Sequence, residues 1–147
     1  MKIRVLWPGR IRKEYYRSAV QDYTMRIRQM VPFEIVETKE IPARDRAKSH
    51  RIRQESALLE KKRRAPAAVV LDVSGKQFSS EEFAGWIAKQ SSDIDFLLGG
   101  PEGLAIENPA LKLSFGPMTF PHELARVLLL EQIYRALTIL KRIPYHK

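Results

Sequence analysis

Three turns rich in glycine and proline, in the second half of the chain, have the residue types of a small-molecule site. They follow three predicted strands, at residues 71–75, 99–104 and 114–122. In open α/β sheets ligands bind just outside the carboxyl ends of the strands, and glycines there let backbone N–H groups approach a ligand closely. Phe115, Met118 and Phe120 are suited to enclose a flat ring such as adenine. One such turn is more often only a turn, but three together favour a binding pocket.

Several common catalytic motifs are missing from the sequence. It has no GxxxxGK[ST] phosphate loop, no HExxH and no GxSxG, and Gly9 stands alone after the first predicted strand. The three histidines, His50, His122 and His146, are too widely spaced to indicate a metal site. The absence of cysteine excludes disulfides, thiolate metal sites and a cysteine nucleophile. We therefore expect no metal and no nucleophilic catalysis.

The elements that must position these turns follow from an alternation of short apolar runs with longer segments of helical periodicity. Predicted strands cover residues 3–7, 33–37, 67–73, 94–98 and 111–115. Predicted helices cover about 15–27, 44–64, a segment from Ser79 or Ser80 onward, and 121–141. The third strand is continuously apolar, as in a parallel sheet covered on both faces, and residues 74–76 are predicted to turn the chain after it. The pattern predicts an α/β fold with a parallel sheet and helices on both faces.

The length of 147 residues and the hydrophobic content of 44% predict a single domain, residues 1–147, with an ordinary core. The apolar N-terminal stretch is too short for a signal peptide, and no segment approaches the roughly 18–20 apolar residues of a membrane span. We therefore expect a cytoplasmic protein with no membrane partner. The last predicted helix is apolar on more than one face, which indicates deep burial or a subunit interface.

The charge of the chain points to a polyanionic partner. The formal net charge is +9, and all of the excess lies in residues 1–65, which hold 18 basic and 8 acidic side chains against 8 and 9 in residues 66–147. Arginine dominates the basic half, and its guanidinium group suits bidentate contacts with phosphate. We therefore expect nucleic-acid binding by the first half, although a solvated basic surface is the alternative.

The motifs of the second half, in their order, resemble those of the RlmH-type ribosomal RNA methyltransferases of the SPOUT class. They are LDxxGK at 71–76, LGGxxGL at 98–104, LS to PH at 113–122, RVxLxEQxYRA at 126–136 and YH at 145–146. The resemblance covers essentially the whole chain. It is looser at the start, where Trp7-Pro8 precedes Gly9, and in the fifth-strand turn, where Gly116-Pro117 precedes Met118.

This resemblance implies a fold that periodicity cannot reach, because SPOUT enzymes tie the C-terminal part of the chain into a deep trefoil knot. It implies S-adenosylmethionine as cofactor, a homodimer and a knotted cofactor-binding part at about 66–147, which follows the basic half at 1–65. The cofactor residues carried over are Leu71, Gly99, Gly103, Phe115, Gly116, Pro117, Met118, Thr119 and Phe120. They lie in the turns selected above on chemical grounds.

The resemblance further implies a substrate, the N3 position of a pseudouridine in 23S rRNA of the assembled 70S ribosome. Candidate catalytic residues are Arg135, Tyr145 and His146. Histidine has a suitable intrinsic pKa for a base. For Tyr145 and His146, ordering of the C-terminal tail or contact with RNA is an equal alternative. His122 is expected to have a structural role. The basic residues expected to hold the ribosome are Arg10, Arg12, Lys13 and Arg17 on the first helix and Arg44, Arg46, Lys48, Arg51 and Arg53 on the second.

Two other classes of function remain open at this point. A non-enzymatic RNA-binding or ribosome-associated protein would share the basic half but would not bind S-adenosylmethionine. A small α/β nucleotide-binding enzyme would use the same strand-end turns but would prefer ATP or NAD. Neither alternative accounts for the ordered motifs from residue 71 to residue 146.

Overall fold

Five strands and four helices alternate along the chain in the computed structural model, which describes residues 1–42, 44 and 47–147. In chain order they are β1 (Ile3–Pro8), α1 (Glu14–Arg28), β2 (Phe33–Thr38), α2 (Lys48–Lys62), β3 (Ala67–Gln77), α3 (Ser80–Ala88), β4 (Ile94–Leu97), β5 (Leu111–Ser114) and α4 (His122–Leu140). All nine predicted elements are present, and their bounds differ from the prediction at β3 and α2.

The strands form one parallel sheet with the order β2-β1-β4-β3-β5. Alternate residues of β1 enter two separate apolar clusters, Val5 on one face and Leu6 on the other. Residues of α1, α3 and α4 complete the first cluster, whereas Leu59 of α2 packs into the second. The predicted parallel α/β sheet with helices on both faces is therefore confirmed.

Strand β3 is longer than the sequence predicts. The predicted turn at 74–76 is an irregularity inside the strand, because Leu71 and Lys76 both pair with Leu113 of β5. The side chain of Asp72 accepts hydrogen bonds from the backbone N–H and the hydroxyl of Ser74, both at 2.8 Å. This local turn moves four residues out of register before the strand rejoins β5.

Helix α2 begins at Lys48 rather than near Arg44. Its first buried residue is Glu55, so apolar periodicity gives no signal for its start. Ala43, Asp45 and Arg46 lie outside the described residues.

A buried ion pair ties the centre of the sheet to the end of α2. Arg4 on β1 donates from Nε and Nη2 to the two carboxylate oxygens of Asp95 on β4, at 2.9 and 2.8 Å. Asp95 also accepts the backbone N–H groups of Arg64 and Ala65, at 2.8 and 3.0 Å. Burial alone would raise the pKa of Asp95, but these hydrogen bonds and the charge of Arg4 outweigh it and lower the pKa.

This depressed pKa makes Asp95 a source of acid sensitivity. A carboxylate whose pKa is lower in the folded than in the unfolded state stabilises the fold above its unfolded pKa of about 3.9, and the stabilisation is lost as the pH falls through the folded value. We expect Asp95→Asn to be less stable than the wild type at pH 7 and to lose less stability below about pH 4. Urea unfolding as a function of pH measures both effects, and parallel curves would contradict the assignment.

Candidate functional site

One cavity of about 440 Å³ lies at the carboxyl ends of β3, β4 and β5, within the size range of small-molecule sites, about 300–1,000 Å³. The three turns selected from the sequence form most of its wall. Its lining consists of Leu71, Asp72, Val73, Leu98, Gly99, Gly100, Pro101, Glu102, Gly103, Leu104, Phe115, Gly116, Met118, Thr119, Phe120, His122 and Ala125.

The turn after β4 folds back on itself so tightly that its backbone forms the wall. Gly100 and Gly103 make an isolated antiparallel bridge, and the N–H of Gly103 donates to the carbonyl of Gly100 at 3.2 Å. A Cβ placed on Gly99 would lie 2.5 Å from the carbonyl carbon of Gly103, closer than any real Cβ contact. Gly103 has φ +91°, a conformation that other residues rarely adopt. Glycine is therefore required at both positions.

The turn after β5 is fastened to the irregular part of β3. The hydroxyl of Ser114 donates to the carbonyl of Val73 at 2.9 Å and accepts the N–H of Gly116 at 3.0 Å. Two apolar residues at this rim, Val73 and Met118, are 61% and 76% exposed. Exposed apolar groups beside a cavity are typical of a surface that a ligand or a partner covers.

The structure brings eight of the nine expected cofactor residues to this cavity. The ninth, Pro117, lies in the same turn but is exposed and does not line it. His122, at the first position of α4, also lines the cavity, and burial together with the charge of Arg126 lowers its pKa. The imidazole of His122 is therefore neutral at pH 7.

Arg126 connects α4 to the carboxyl end of β1. It is 1% exposed, donates from Nη2 to the carbonyl of Pro8 at 2.8 Å, and lies over the ring of Trp7 with its Cζ 5.0 Å from the centroid. Burial lowers the pKa of Arg126 to about 10, so the guanidinium stays charged at pH 7. Trp7 and Pro8, where the resemblance to the family is looser, are thus the residues of β1 that contact Arg126 of the last helix.

The three candidate catalytic residues lie together with two glutamates, outside the cavity. We name this group the C-terminal cluster: Glu81, Glu131, Arg135, Tyr145 and His146. Arg135 donates from Nε and Nη2 to the two carboxylate oxygens of Glu131, at 3.1 and 2.7 Å. Tyr145 donates its hydroxyl to Glu131 at 2.7 Å. His146 has Nδ1 3.0 Å from Nη1 of Arg135 and Nε2 2.5 Å from a carboxylate oxygen of Glu81. Sequence reasoning missed both glutamates.

A signal for one missed residue was present in the sequence. Glu131 and Arg135 are four residues apart, the spacing that places opposite charges side by side on a helix. Glu81, in contrast, is separated from His146 by 65 positions, and no sequence spacing connects the two. Within one subunit the C-terminal cluster and the cavity are distinct, since Arg135, Tyr145 and His146 are all absent from the cavity lining.

The basic residues expected to contact RNA are mostly at the surface. The exposed ones are Arg10, Arg12, Lys13, Arg17, Arg44, Lys48 and Arg53, and Arg46 lies outside the described residues. The expected placement on helices is wrong for Arg10, Arg12 and Lys13, which precede α1, and for Arg44, which precedes α2. Arg12 pairs with Glu40 at 2.8 Å and Arg17 with Glu14 at 2.7 Å. An open depression of about 650 Å³ at the carboxyl ends of β1 and β2 is lined by Arg10, Arg12, Arg17 and Lys39, together with five other residues.

Arg51 differs from the other basic residues of α2. Its Nε and Nη2 bind Glu102 at 2.8 and 2.6 Å, and its side chain is only 14% exposed. Ser56, on the same helix, accepts the N–H of Ala105 at 2.9 Å. These contacts fasten α2 to the turn after β4, so the geometry places Arg51 against the cavity wall rather than on the open surface.

Metal-binding side chains do not gather in groups of three or more anywhere in the part of the chain that the structure describes. Over the same residues, no helix combines the length and the apolar character needed to cross a membrane.

A parallel α/β sheet with a cavity formed by three strand-end turns is typical of α/β proteins that bind a small molecule at the edge of the sheet. The family described as "Predicted SPOUT methyltransferase" matches residues 1–146, and the chain belongs to this methyltransferase family. Proteins named ribosomal RNA large subunit methyltransferase H are similar over at least 99% of both chains. Identities are 41% in Coprothermobacter proteolyticus, 38% in Pelobacter propionicus and 37% in Gloeobacter violaceus.

Proposed function

We propose that the protein transfers a methyl group from S-adenosylmethionine to N3 of a pseudouridine in 23S rRNA of the assembled 70S ribosome. The observation that carries the proposal is the cavity, in which eight of the nine residues expected to hold the cofactor meet. Full-length similarity to proteins named ribosomal RNA large subunit methyltransferase H supports the substrate class. A ribosomal substrate also supports a cytoplasmic location.

The residues present fit S-adenosylmethionine. Leu71, Phe115 and Phe120 offer apolar surface for the adenine ring, and Gly99, Gly100 and Gly103 place backbone rather than side chains at the wall. When bound, the cofactor supplies an electrophilic methyl group on a sulfonium. The role of this chain is then to hold the acceptor in line, exclude water and manage the N3 proton.

The C-terminal cluster supplies the groups for the acceptor side. Arg135 is a permanent cation, and such a charge stabilises the anion that develops on a uracil ring when N3 loses its proton. Tyr145 and His146 add a hydroxyl and an imidazole beside it. Burial and the hydrogen bond to Glu131 raise the pKa of Tyr145, so its hydroxyl stays protonated and acts as a donor.

We further propose that the active protein is a homodimer in which the C-terminal cluster of one subunit faces the cavity of its partner. The separation of the two sites within one subunit supports this arrangement. The apolar surplus of α4 supports it as well, because Leu124, Val127 and Leu128 are only partly buried in the single chain. Leu140 and Ile143, near the tail, are 40% and 44% exposed.

The C-terminal deep trefoil knot is also part of the proposal, within a single domain of residues 1–147. Because β3 lies between β4 and β5, the connection from 98 to 110 has to cross β3. Arg126 of α4, the helix after β5, donates to Pro8 on β1, and β3 and β4 lie between β5 and β1 in the sheet. This contact supports a path for α4 beneath that connection. The cofactor-binding part would then be about 66–147, and the basic half 1–65 would hold the ribosome.

Neutralising exposed cations of the basic half is expected to weaken ribosome binding without affecting the cofactor. For the double variant Lys48→Gln/Arg53→Gln we expect the slope of log K against log salt to fall by about 0.7–0.9 for each phosphate that the variant no longer neutralises. Affinity for S-adenosylmethionine should not change. Lys89→Gln/Lys112→Gln, two exposed cations of the second half, is the matched control. An equal loss of ribosome and cofactor binding would contradict the division of roles.

Calorimetric titration of the purified protein with S-adenosylmethionine, ATP and NAD separates the proposal from its rivals. We expect binding of S-adenosylmethionine in preference to the other two. Preference for ATP or NAD would favour a different nucleotide-binding enzyme. No binding of any of the three would leave the non-enzymatic RNA-binding alternative, for which the charge of +9 is sufficient.

A further inference from the structure

We propose that Glu81 is a positioning residue that holds His146 in one tautomer and one ring orientation for the methyl-transfer site. Glu81 lies in the first turn of α3 and does not line the cavity. Its carboxylate meets Nε2 of His146 at 2.5 Å. The inference rests on the proposed function, because it assigns a task to Glu81 within the C-terminal cluster.

The tautomer follows from the partner on the other side of the ring. Nη1 of Arg135 lies 3.0 Å from Nδ1 of His146. A guanidinium nitrogen only donates hydrogen bonds, so Nδ1 has to offer its lone pair. The proton of the neutral ring is then on Nε2, where it is donated to Glu81. One donor and one acceptor, on opposite sides of the imidazole, select a single tautomer.

Arg135 cannot easily release this arrangement, because it is itself held by two other residues. Glu131 binds its Nε and Nη2, and the ring of Tyr145 lies 4.8 Å from its Cζ. Tyr145 in turn donates to Glu131. Of the two carboxylates in the cluster, Glu81 is therefore the one that holds His146 directly. Without it, only the hydrogen bond from Arg135 to Nδ1 opposes rotation of the imidazole, and a ring that rotates away from Arg135 can change tautomer.

The helix start explains why Glu81 is available for this role. The neighbouring Glu82 completes a capping box with Ser79, accepting the N–H of Ser79 at 2.7 Å while the Ser79 hydroxyl accepts the N–H of Glu82 at 3.0 Å. The hydrogen bond with His146 lowers the pKa of Glu81, so the carboxylate is ionised and can only accept. The capping task and the contact with the tail are divided between two adjacent glutamates.

The exposure of Glu81 predicts a small effect on folding and a larger effect on the reaction. Its side chain is 64% exposed, and exposed ion pairs add little to stability. A partner subunit or bound RNA that covers the cluster would exclude water and strengthen the same contact. Loss of Glu81 should therefore reduce kcat while leaving the unfolding midpoint and the KM for S-adenosylmethionine nearly unchanged.

The test compares Glu81→Ala with Glu81→Gln, whose side-chain oxygen can still accept from Nε2. We expect Glu81→Ala to lower kcat on ribosomes by about 10–100-fold, as removal of an orienting partner commonly does, and Glu81→Gln to restore most of it. Glu107→Ala removes an exposed acidic side chain outside the cluster and controls for the change of charge. A kcat of Glu81→Ala equal to that of the control would overturn the proposal.

The tautomer itself is read from long-range ¹H–¹⁵N spectra of the labelled protein. Only three histidines are present, and a His146→Ala spectrum identifies the signal. We expect protonated Nε2 in the wild type and in Glu81→Gln, and an additional Nδ1-protonated fraction in Glu81→Ala, from rings that have rotated away from Arg135. A wild-type His146 protonated on Nδ1 would overturn the proposal. This spectrum does not depend on activity, so absence of methyl transfer by the wild type would contradict the proposed function alone.

Discussion

Gly99→Ala is expected to lower the affinity for S-adenosylmethionine by about 100-fold or more, which corresponds to roughly 2.8 kcal/mol. The new Cβ would lie 2.5 Å from the carbonyl carbon and 2.6 Å from the carbonyl oxygen of Gly103. Both obstructing atoms belong to the backbone, so no side chain can rotate away. The bridge between Gly100 and Gly103 would have to open, and with it the cavity wall that the two glycines form. Calorimetric titration measures the loss.

Gly85→Ala is the matched control for this variant. No heavy atom lies within 4 Å of the Cβ position at Gly85, in the middle of α3. Alanine in a helix interior is favoured over glycine by about 0.5–1 kcal/mol, so this variant should be slightly more stable and bind the cofactor normally. If a folded Gly99→Ala protein bound S-adenosylmethionine with wild-type affinity, the turn after β4 would not be part of the cofactor site.

Arg135→Ala is expected to reduce methyl transfer by about 100- to 1,000-fold, because it removes a fixed charge at the place where negative charge develops. If the active site is shared between subunits, this loss is repaired in trans. A purified heterodimer of one Gly99→Ala and one Arg135→Ala subunit contains one intact cavity facing one intact C-terminal cluster. Two tags, one on each variant, allow its isolation after co-expression. We expect about half of the wild-type rate from one complete site in two.

A second heterodimer is expected to give the opposite result if the active site is shared between subunits. One subunit carries both Gly99→Ala and Arg135→Ala, and the other is wild type. If the site is shared, the intact cavity faces a damaged C-terminal cluster and the damaged cavity faces an intact one. Activity should then stay near zero. A site completed within a single subunit would give the opposite pair of results, an inactive first heterodimer and a half-active second one. Either pattern is read by the same labelled-methyl assay.

The parallel sheet was predictable because its strands contain short apolar runs, some of them followed by glycine or proline, and because α1 and α3 have a distinct periodic apolar stripe. The details of β3 were not predictable. Ser74 and Gly75 have the composition of a turn, and only the pairing of both Leu71 and Lys76 with Leu113 shows that the strand continues. Strand pairing is a long-range property that composition does not encode.

The cavity was predictable for a related reason, since carboxyl ends of parallel strands meet at one edge of the sheet. The contacts of the tail were not predictable. Arg135, Tyr145 and His146 were selected from the sequence, but their carboxylate partners depend on how α3 packs beside α4. Glu81 faces His146 only because α3 begins directly after its N-cap residue, Ser79. No sequence spacing predicts a contact between residues that are 65 positions apart.

The most direct test of the central claim is transfer of labelled methyl from S-adenosylmethionine to 70S ribosomes, separated subunits and naked rRNA from cells that lack this activity, followed by mapping of the modified nucleotide. At a cofactor concentration far below the weakened Kd of Gly99→Ala, Gly85→Ala serves as an active control and Gly99→Ala as an inactive one. We predict label on 70S particles alone, at N3 of a pseudouridine in 23S rRNA. Labelling of naked rRNA or of another nucleotide would contradict the substrate, and the absence of any labelling by a protein that binds the cofactor would contradict the account as a whole.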